Sequence, residues 1–157
     1  MNAETIRRSV DAALAKLAGE PGPLLEILHA VQDDLGCIPA DAVPPIAAAL
    51  NLSRAEVHGV VSFYHHFRAA PPGNIVVRLC RAEACQSMNA RGLEQHMKRR
   101  LGIGFGETTR DGRVTLESVY CLGNCACAPA LMVGTELHGR VTPERIDELA
   151  THWGSTP

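Results

Sequence analysis

The sequence predicts an α+β chain: an N-terminal helical region over residues 1–70, then a mixed domain over residues 74–157. Three observations carry this expectation. Apolar residues recur at helical spacing from Ile6 to about Phe67, with no strand-like run among them. Ala69-Ala70-Pro71-Pro72-Gly73 then interrupts the chain. Beyond the break, two β-branched runs at residues 75–79 and 114–120 flank a helical segment.

Taken in order, Ile6, Val10, Ala13, Leu14 and Leu17 form one helical face over residues 4–18, and Gly19 stops it. A second helix starts near Pro23, buries Leu24, Leu25, Leu28, Val31 and Leu35, and ends at Gly36. Ile38-Pro39-Ala40-Asp41 reads as a turn, with Asp41 capping an alanine-rich helix that runs through Leu50. Ser53 and Glu56 have capping-box spacing and open a fourth helix towards His65. After the break, a strand at residues 75–79 delivers Cys80 at its C-terminal end. A helix over residues 86–101 follows, with Ala90, Leu93, Met97 and Leu101 on one face. Asp111-Gly112 turns the chain into a second strand, residues 114–120, which delivers Cys121. Residues 131–133 and 137–141 suit a hairpin across Gly134-Thr135, and Thr142-Pro143 caps a last helix through Trp153. The resulting order, β-α-β-β-β-α, is that of a thioredoxin-like domain.

Bulk properties exclude several functions. A hydrophobic content of 46% with 20% charged residues suits a soluble chain that buries a core. Aromatic residues make up 4% and the formal net charge is −2, which argues against a base-stacking platform or a phosphate-backbone binder. No nucleic-acid partner is therefore expected. Asp11 and Lys16 break any apolar run after Arg7-Arg8, so no export signal is expected. No segment approaches the roughly 20 apolar residues of a membrane helix, so no direct membrane insertion is expected. The expected compartment is the reducing cytoplasm, where clustered cysteines are more often metal ligands or redox catalysts than disulfides.

Four of the six cysteines fall into two close pairs, Cys80-x4-Cys85 and Cys121-x3-Cys125. Cys80 and Cys121 end strands, while Cys85 and Cys125 lie in the loops beyond them. If the strands are neighbours, the four sulfurs converge and can hold a metal centre. A 2Fe–2S cluster asks for four thiolates, two completing the tetrahedron of each iron. A helix beginning near Gln86 would aim its positive N-terminal end at so anionic a group. Gly123 lets backbone amides approach sulfur. Structural zinc also accepts four thiolates, though such sites favour the closer C-x2-C spacing. A thiol–disulfide oxidoreductase fits a thioredoxin-like order, but its C-x-x-C motif is absent. Inert buried cysteines explain single residues better than two spaced pairs.

Cys37 stands apart in the helical region and is expected to be buried packing; Cys127 is read as packing or as a neighbour of the centre. His65-His66 invites reading as a metal pair, but adjacent helical residues do not face each other, so packing or a partner surface is expected. Gly102-Ile103-Gly104-Phe105-Gly106 follows a helix, not a strand, and reads as a mobile connection without nucleotide chemistry.

Cys80-x4-Cys85 together with Cys121-Leu-Gly-Asn-Cys125-x-x-Ala-Pro129 resembles the small thioredoxin-like 2Fe–2S subunit of the NADH dehydrogenase module of respiratory complex I. It also resembles the equivalents in NAD-linked hydrogenases and NAD-dependent molybdenum formate dehydrogenases. Leu35-Gly-Cys-Ile-Pro39, Glu56-Val-His-Gly-Val-Val-Ser-Phe-Tyr64, Thr108-Thr-Arg-Asp-Gly-Arg-Val-Thr-Leu116 and Leu137-His-Gly-Arg-Val-Thr-Pro-Glu144 extend the likeness from about Leu24 to Trp153. Cys80-Arg-Ala-Glu-Ala-Cys-Gln86 and Cys125-Ala-Cys-Ala-Pro129 look most like the formate dehydrogenase gamma subunit. Cys37 departs from the family, where many relatives have an aromatic residue, and Gly134-Thr135 departs from an Asn or Asp in the hairpin.

The resemblance implies a thioredoxin-like 2Fe–2S ferredoxin domain with Cys80, Cys85, Cys121 and Cys125 as cluster ligands. It implies a non-catalytic electron-transfer subunit of an NAD-dependent oxidoreductase. The cluster would exchange single electrons with the FMN of an NAD(H)-binding partner, beside a molybdenum-containing catalytic subunit. Plant-type four-cysteine clusters lie near about −400 mV, within reach of flavin and nicotinamide chemistry.

Overall fold

The computed structural model describes residues 1–153; residues 154–157, the end of the expected second domain, lie outside the described residues. The chain divides into two compact units, Met1–Pro71 and the part from Pro72 onward.

The first unit is all helical: α1 (Ala3–Leu17), α2 (Leu24–Leu35), a 3-10 turn (Ala40–Ala42), α3 (Val43–Ala49) and α4 (Arg54–Phe63). Its core gathers Ile6, Val10, Ile27, Leu28, Val31, Ile46 and Val57 from all four helices. Asn2 caps α1 by accepting the Thr5 N–H at 2.8 Å. Gly36, at φ 77°, closes α2 in the left-handed conformation that glycine adopts without steric cost. The Ser53–Glu56 capping box is formed in both directions: Ser53 Oγ accepts the Glu56 N–H at 3.1 Å, and Glu56 Oε2 accepts the Ser53 N–H at 2.7 Å. The expected Asp41 cap is not formed, because Asp41 lies inside the 3-10 turn and α3 starts at Val43. Pro44 and Pro45 fill the first turn of α3, and neither has an N–H that needs capping. Helix α4 ends at Phe63, short of His65. The segment after it is tied to α2 by buried Gln32, whose Nε2 donates to the His66 carbonyl at 2.9 Å. Gln32 Oε1 accepts the Arg68 N–H at 2.7 Å.

The second unit contains β1 (Ile75–Cys80), α5 (Glu83–Ser87), α6 (Ala90–Leu101), β2 (Glu107–Thr108), β3 (Val114–Val119), a 3-10 turn (Cys125–Cys127), β4 (Leu131–Val133), β5 (Glu136–His138) and α7 (Pro143–Ala150). Its strands form one sheet in the order β2-β3-β1-β4-β5. The central pair β1–β3 is parallel, and the other three pairings are antiparallel. Strand residues alternate between the two faces of a sheet. Val77, Leu79, Leu116 and Leu131 meet Leu93 and Met97 of α6 and Ile146 of α7 in one core. On the opposite face, Arg78 Nε pairs with Glu117 Oε2 at 3.0 Å across β1 and β3.

Four sequence expectations do not hold in this unit. The single helix over residues 86–101 is two helices, because Asn89 takes a left-handed φ of 65° and turns its side chain to cap α6 at the Gly92 N–H. Gly92 admits that cap, since a Cβ there would lie 2.6 Å from Asn89 Nδ2. The connection read as mobile is a built turn: Gly104 N–H donates to Glu107 Oε2 at 2.6 Å, Gly106 N–H donates to the Leu116 carbonyl at 2.7 Å, and β2 follows. The second hairpin strand stops at His138 instead of continuing to Val141, and α7 stops at Ala150 instead of Trp153.

Candidate metal centre

The parallel register brings the two cysteine pairs to one end of the sheet, beyond the C-termini of β1 and β3. Cys80 lies opposite Val119, so the chain leaving β3 reaches Cys121 two residues beyond the same end. The end of β1 is held from both sides: Cys80 N–H donates to the Ala130 carbonyl at 3.1 Å, and Arg81 N–H donates to the Val119 carbonyl at 2.7 Å. Cys85 follows within one turn. It lies inside α5 and not in a loop, so the expected helix start at Gln86, aimed at the cysteines, is absent. Cys80 and Cys85 are each only 2% exposed and share a small apolar cluster with Ala90 and Ala130; Ala82, Val119, Leu122 and Ala128 pack around it. Small side chains are what leave room for two sulfurs there.

The second pair has a different setting. Cys121 and Cys125 are exposed, with sulfurs 3.7 Å apart. Cys121 has φ 125°, a region that residues with a Cβ rarely occupy and that costs on the order of 1–3 kcal/mol. Gly123, at φ 75°, turns its N–H back to Cys121 Sγ at 3.3 Å. Cys125 opens the 3-10 turn, whose Cys127 N–H donates to the Asn124 carbonyl at 3.0 Å.

The connection between β5 and α7 holds this loop in place. Arg140 N–H donates to the Cys127 carbonyl at 2.6 Å, and Val141 N–H donates to the Pro129 carbonyl at 3.0 Å. Gly139 packs so closely that a Cβ would fall 2.7 Å from Cys127 Cβ and 2.8 Å from the Cys127 oxygen. Cys127, half-buried, therefore packs against Gly139. Neither Gly139 nor its contact was legible in the sequence.

Burial raises the Cys85 thiol above the usual range, helped by its hydrogen bond with Cys80 and by the nearby Cys80 and Cys125. The hydrogen bond with Cys121 raises Cys125, and the charge on Cys121 and then that on Cys80 add to it. Cys80 thus acts on Cys85 and on Cys125, so the two pairs lie within electrostatic reach of each other. Cys85 and Cys125 so placed resist ionising unless a cation compensates them, as a metal bound to thiolates does. Among the described residues, no three His, Cys, Asp or Glu side chains are grouped to hold a single ion. The donors are arranged as pairs, and a two-iron cluster takes its protein sulfurs in pairs. All six cysteines are free thiols.

The remaining sequence candidates belong to the helical unit. Cys37 is buried in the helical unit, and burial raises its thiol. His66 packs against His29 at 5.3 Å between ring centroids, while His65 Nδ1 lies 3.1 Å from the Phe63 carbonyl.

A family model described as "Thioredoxin-like [2Fe-2S] ferredoxin" matches residues 10–153. The chain is 36% identical over 146 residues to an NADH-quinone oxidoreductase subunit of Pseudomonas aeruginosa, covering 93% of this chain and 88% of that protein. It is 31% identical over 150 residues to the NADP-reducing hydrogenase subunit HndA of Solidesulfovibrio fructosivorans, covering 96% and 88% respectively. Among solved structures it is similar to an NAD+-reducing [NiFe]-hydrogenase in the H2-reduced state, with a TM-score of 0.70 at 26% identity. That match covers 85% of this chain but spans only 22% of the solved chain.

Proposed function

The chain belongs to the thioredoxin-like [2Fe-2S] ferredoxin family and its cofactor is a 2Fe–2S cluster; from that premise we propose an electron-transfer subunit whose cluster is held by Cys80, Cys85, Cys121 and Cys125. One observation carries this reading: two cysteine pairs, one buried and one exposed, follow the C-terminal ends of the neighbouring parallel strands β1 and β3. When bound, the cluster supplies reversible one-electron exchange and breaks no substrate bond.

The protein's own residues anchor that chemistry. Cys80 and Cys85 bind from inside the alanine-lined cluster, where water is excluded. Cys121 and Cys125 bind from the surface loop, and the Gly123 amide offsets thiolate charge on Cys121. The Arg140 and Val141 amides fix the far end of that loop.

The partner we propose is an FMN-containing, NAD(H)-binding subunit; the relatives' names, subunits of NADH-quinone oxidoreductase and of NADP-reducing hydrogenase, support it. For the holoenzyme we propose an NAD-dependent molybdenum formate dehydrogenase with a molybdenum-containing catalytic subunit, on the loop sequences Cys80-Arg-Ala-Glu-Ala-Cys-Gln86 and Cys125-Ala-Cys-Ala-Pro129. A second reading, a subunit of complex I or of an NAD-linked hydrogenase, is favoured by the curated relatives. Among the described residues no helix is long and apolar enough to cross a membrane, and the compartment we propose is the cytoplasm.

The test is anaerobic purification of the chain. A brown protein with a rhombic EPR signal on reduction, and no NADH oxidation by itself, supports the reading. A colourless protein with stoichiometric zinc sinks it. Cys121→Ser should remove or reshape the signal, whereas Cys37→Ser should leave it intact. Co-purification from the source cell discriminates the holoenzymes: a molybdenum-containing chain supports formate dehydrogenase, and membrane subunits refute it.

A further inference from the structure

The second unit holds a pocket of about 640 Å3 at the end of its sheet that the cysteines do not occupy. Val114 starts β3 and lines this pocket, whereas Cys121 follows the other end of the same strand. A six-residue strand spans roughly 17 Å, so the pocket and the cysteines are separate places. Small-molecule sites occupy about 300–1,000 Å3 and combine apolar walls with a few placed polar groups.

This pocket has both. Ile103, Val114 and Trp153 supply apolar wall, and Arg100, Arg110 and Arg113 bring three guanidinium groups to it. On a chain with 15 basic and 17 acidic side chains, that is a local excess of positive charge. Asp111 is the one carboxylate among the described lining residues, and the turn before β3 already engages it. Its Oδ1 accepts the Thr109 hydroxyl at 2.5 Å and the Arg113 N–H at 3.1 Å. Compensation of the helix dipole accounts for Arg100, which sits in the last turn of α6 and pairs through Nε with Asp147 Oδ1 at 2.8 Å. It does not account for Arg110 and Arg113, which lie between β2 and β3, off any helix. Arg113 Nε stands 3.5 Å from Asp111 Oδ2, and Arg110 has no ion pair among the described residues.

We propose that this pocket binds a phosphate monoester with a small apolar body. The phosphate offers three terminal oxygens, and a planar guanidinium fork matches two of them at a time. The body lies against Ile103, Val114 and Trp153, where its burial adds what a bare phosphate ion cannot gain. Binding is reversible and makes or breaks no covalent bond. It does not depend on which cysteines hold the cluster.

The experiment titrates phenyl phosphate into the full chain carrying its cluster. Calorimetry gives the affinity, and the indole N–H resonance of Trp153, the only tryptophan, reports on the site. Saturable one-to-one binding that shifts this resonance is the expected result. Inorganic phosphate and phenol should each bind at least about tenfold more weakly, since each lacks one half of the contacts. Arg110→Ala and Arg113→Ala should each weaken phenyl phosphate about tenfold, the loss of one hydrogen bond to a charged group. Both side chains are exposed, and circular dichroism checks that the variants keep the fold. Arg91→Ala, exposed on α6 and outside the pocket, should leave the affinity unchanged.

Absence of saturable binding at millimolar phenyl phosphate overturns the proposal. So does equal weakening by Arg91→Ala, which marks general charge attraction, or inorganic phosphate binding as tightly as the ester. A chain that binds phenyl phosphate but carries no cluster supports this site and sinks the electron-transfer reading instead.

Discussion

Gly139→Ala tests whether the connection after β5 holds the cysteine loop in position. Gly139 has no positive φ, so alanine introduces no backbone strain and acts only through the added methyl group. That methyl would meet Asn124 Nδ2 at 2.7 Å, Cys127 Cβ at 2.7 Å and the Cys127 oxygen at 2.8 Å. Carbon atoms pack comfortably at about 3.5–4.0 Å, so the neighbours must retreat by roughly 1 Å. Asn124 can swing its side chain away. Cys127 cannot, because its Cβ is fixed to the backbone and its carbonyl is held by the Arg140 N–H at 2.6 Å. Overpacking of this kind costs about 1–3 kcal/mol. The displacement falls on the 3-10 turn that begins with Cys125. Denaturant unfolding of the metal-free chain should show that loss. Iron content after anaerobic reconstitution should fall, and the EPR g-values of the reduced form should move. Gly59→Ala is the internal control: it lies in α4 with no neighbouring atom within 4 Å of where the methyl carbon would sit, and should be neutral or stabilising by about 0.5–1 kcal/mol. A Gly139→Ala chain with wild-type stability, iron content and g-values would refute the clamp.

Other outcomes follow from the same contacts. Gln32→Ala leaves the His66 carbonyl and the Arg68 N–H without the Gln32 amide, and denaturant titration should show a loss of about 1–3 kcal/mol for each group left unsatisfied. Ser53→Ala removes one half of the capping box and should cost about 0.5–2 kcal/mol at neutral pH. The backbone and side-chain hydrogen bonds from Ser53 hold the Glu56 carboxyl below its usual pKa. Its contribution is therefore complete above the unfolded carboxylate range and is lost as pH falls through the depressed value, so Ser53→Ala should flatten the acid limb of the stability profile. Asn89→Gly should be nearly neutral, whereas Asn89→Ala should cost about 1–2 kcal/mol by losing the α6 cap while keeping the left-handed φ of 65°. Cys37 in the native apo-chain should react with a thiol reagent far more slowly than Cys121, since burial both shields it and raises its thiol; equal rates would contradict that burial.

Much of the fold was legible because it rests on local physics. Ser53 and Glu56 declare a helix start through backbone N–H groups that need acceptors within one turn. Gly36 and Thr142-Pro143 mark ends and starts for equally local reasons. The apolar face Ala90, Leu93, Met97 and Leu101 begins only after Asn89, so its periodicity says nothing about the break there; the conformation of Asn89 and the space left by Gly92 reveal it. Asp41 failed as a cap because proline, with no N–H to satisfy, removed the need for one.

At the candidate centre, the sequence by itself determined which donors are available: two pairs of cysteines, each at the end of a β-rich run, with a glycine between the members of one pair. Cysteine spacing is a covalent property, and strand propensity is local, so both survive without knowledge of the fold. The tertiary structure decided what the pairs are worth. The parallel register of β1 with β3 brings them to one end of the sheet. Packing by distant alanines buries Cys80 and Cys85 and leaves Cys121 and Cys125 in water. The contact of Gly139 with Cys127 joins residues on separate segments and exists only once the chain has folded. Burial and close approach are sums over the whole packed unit, so no local pattern can state them in advance.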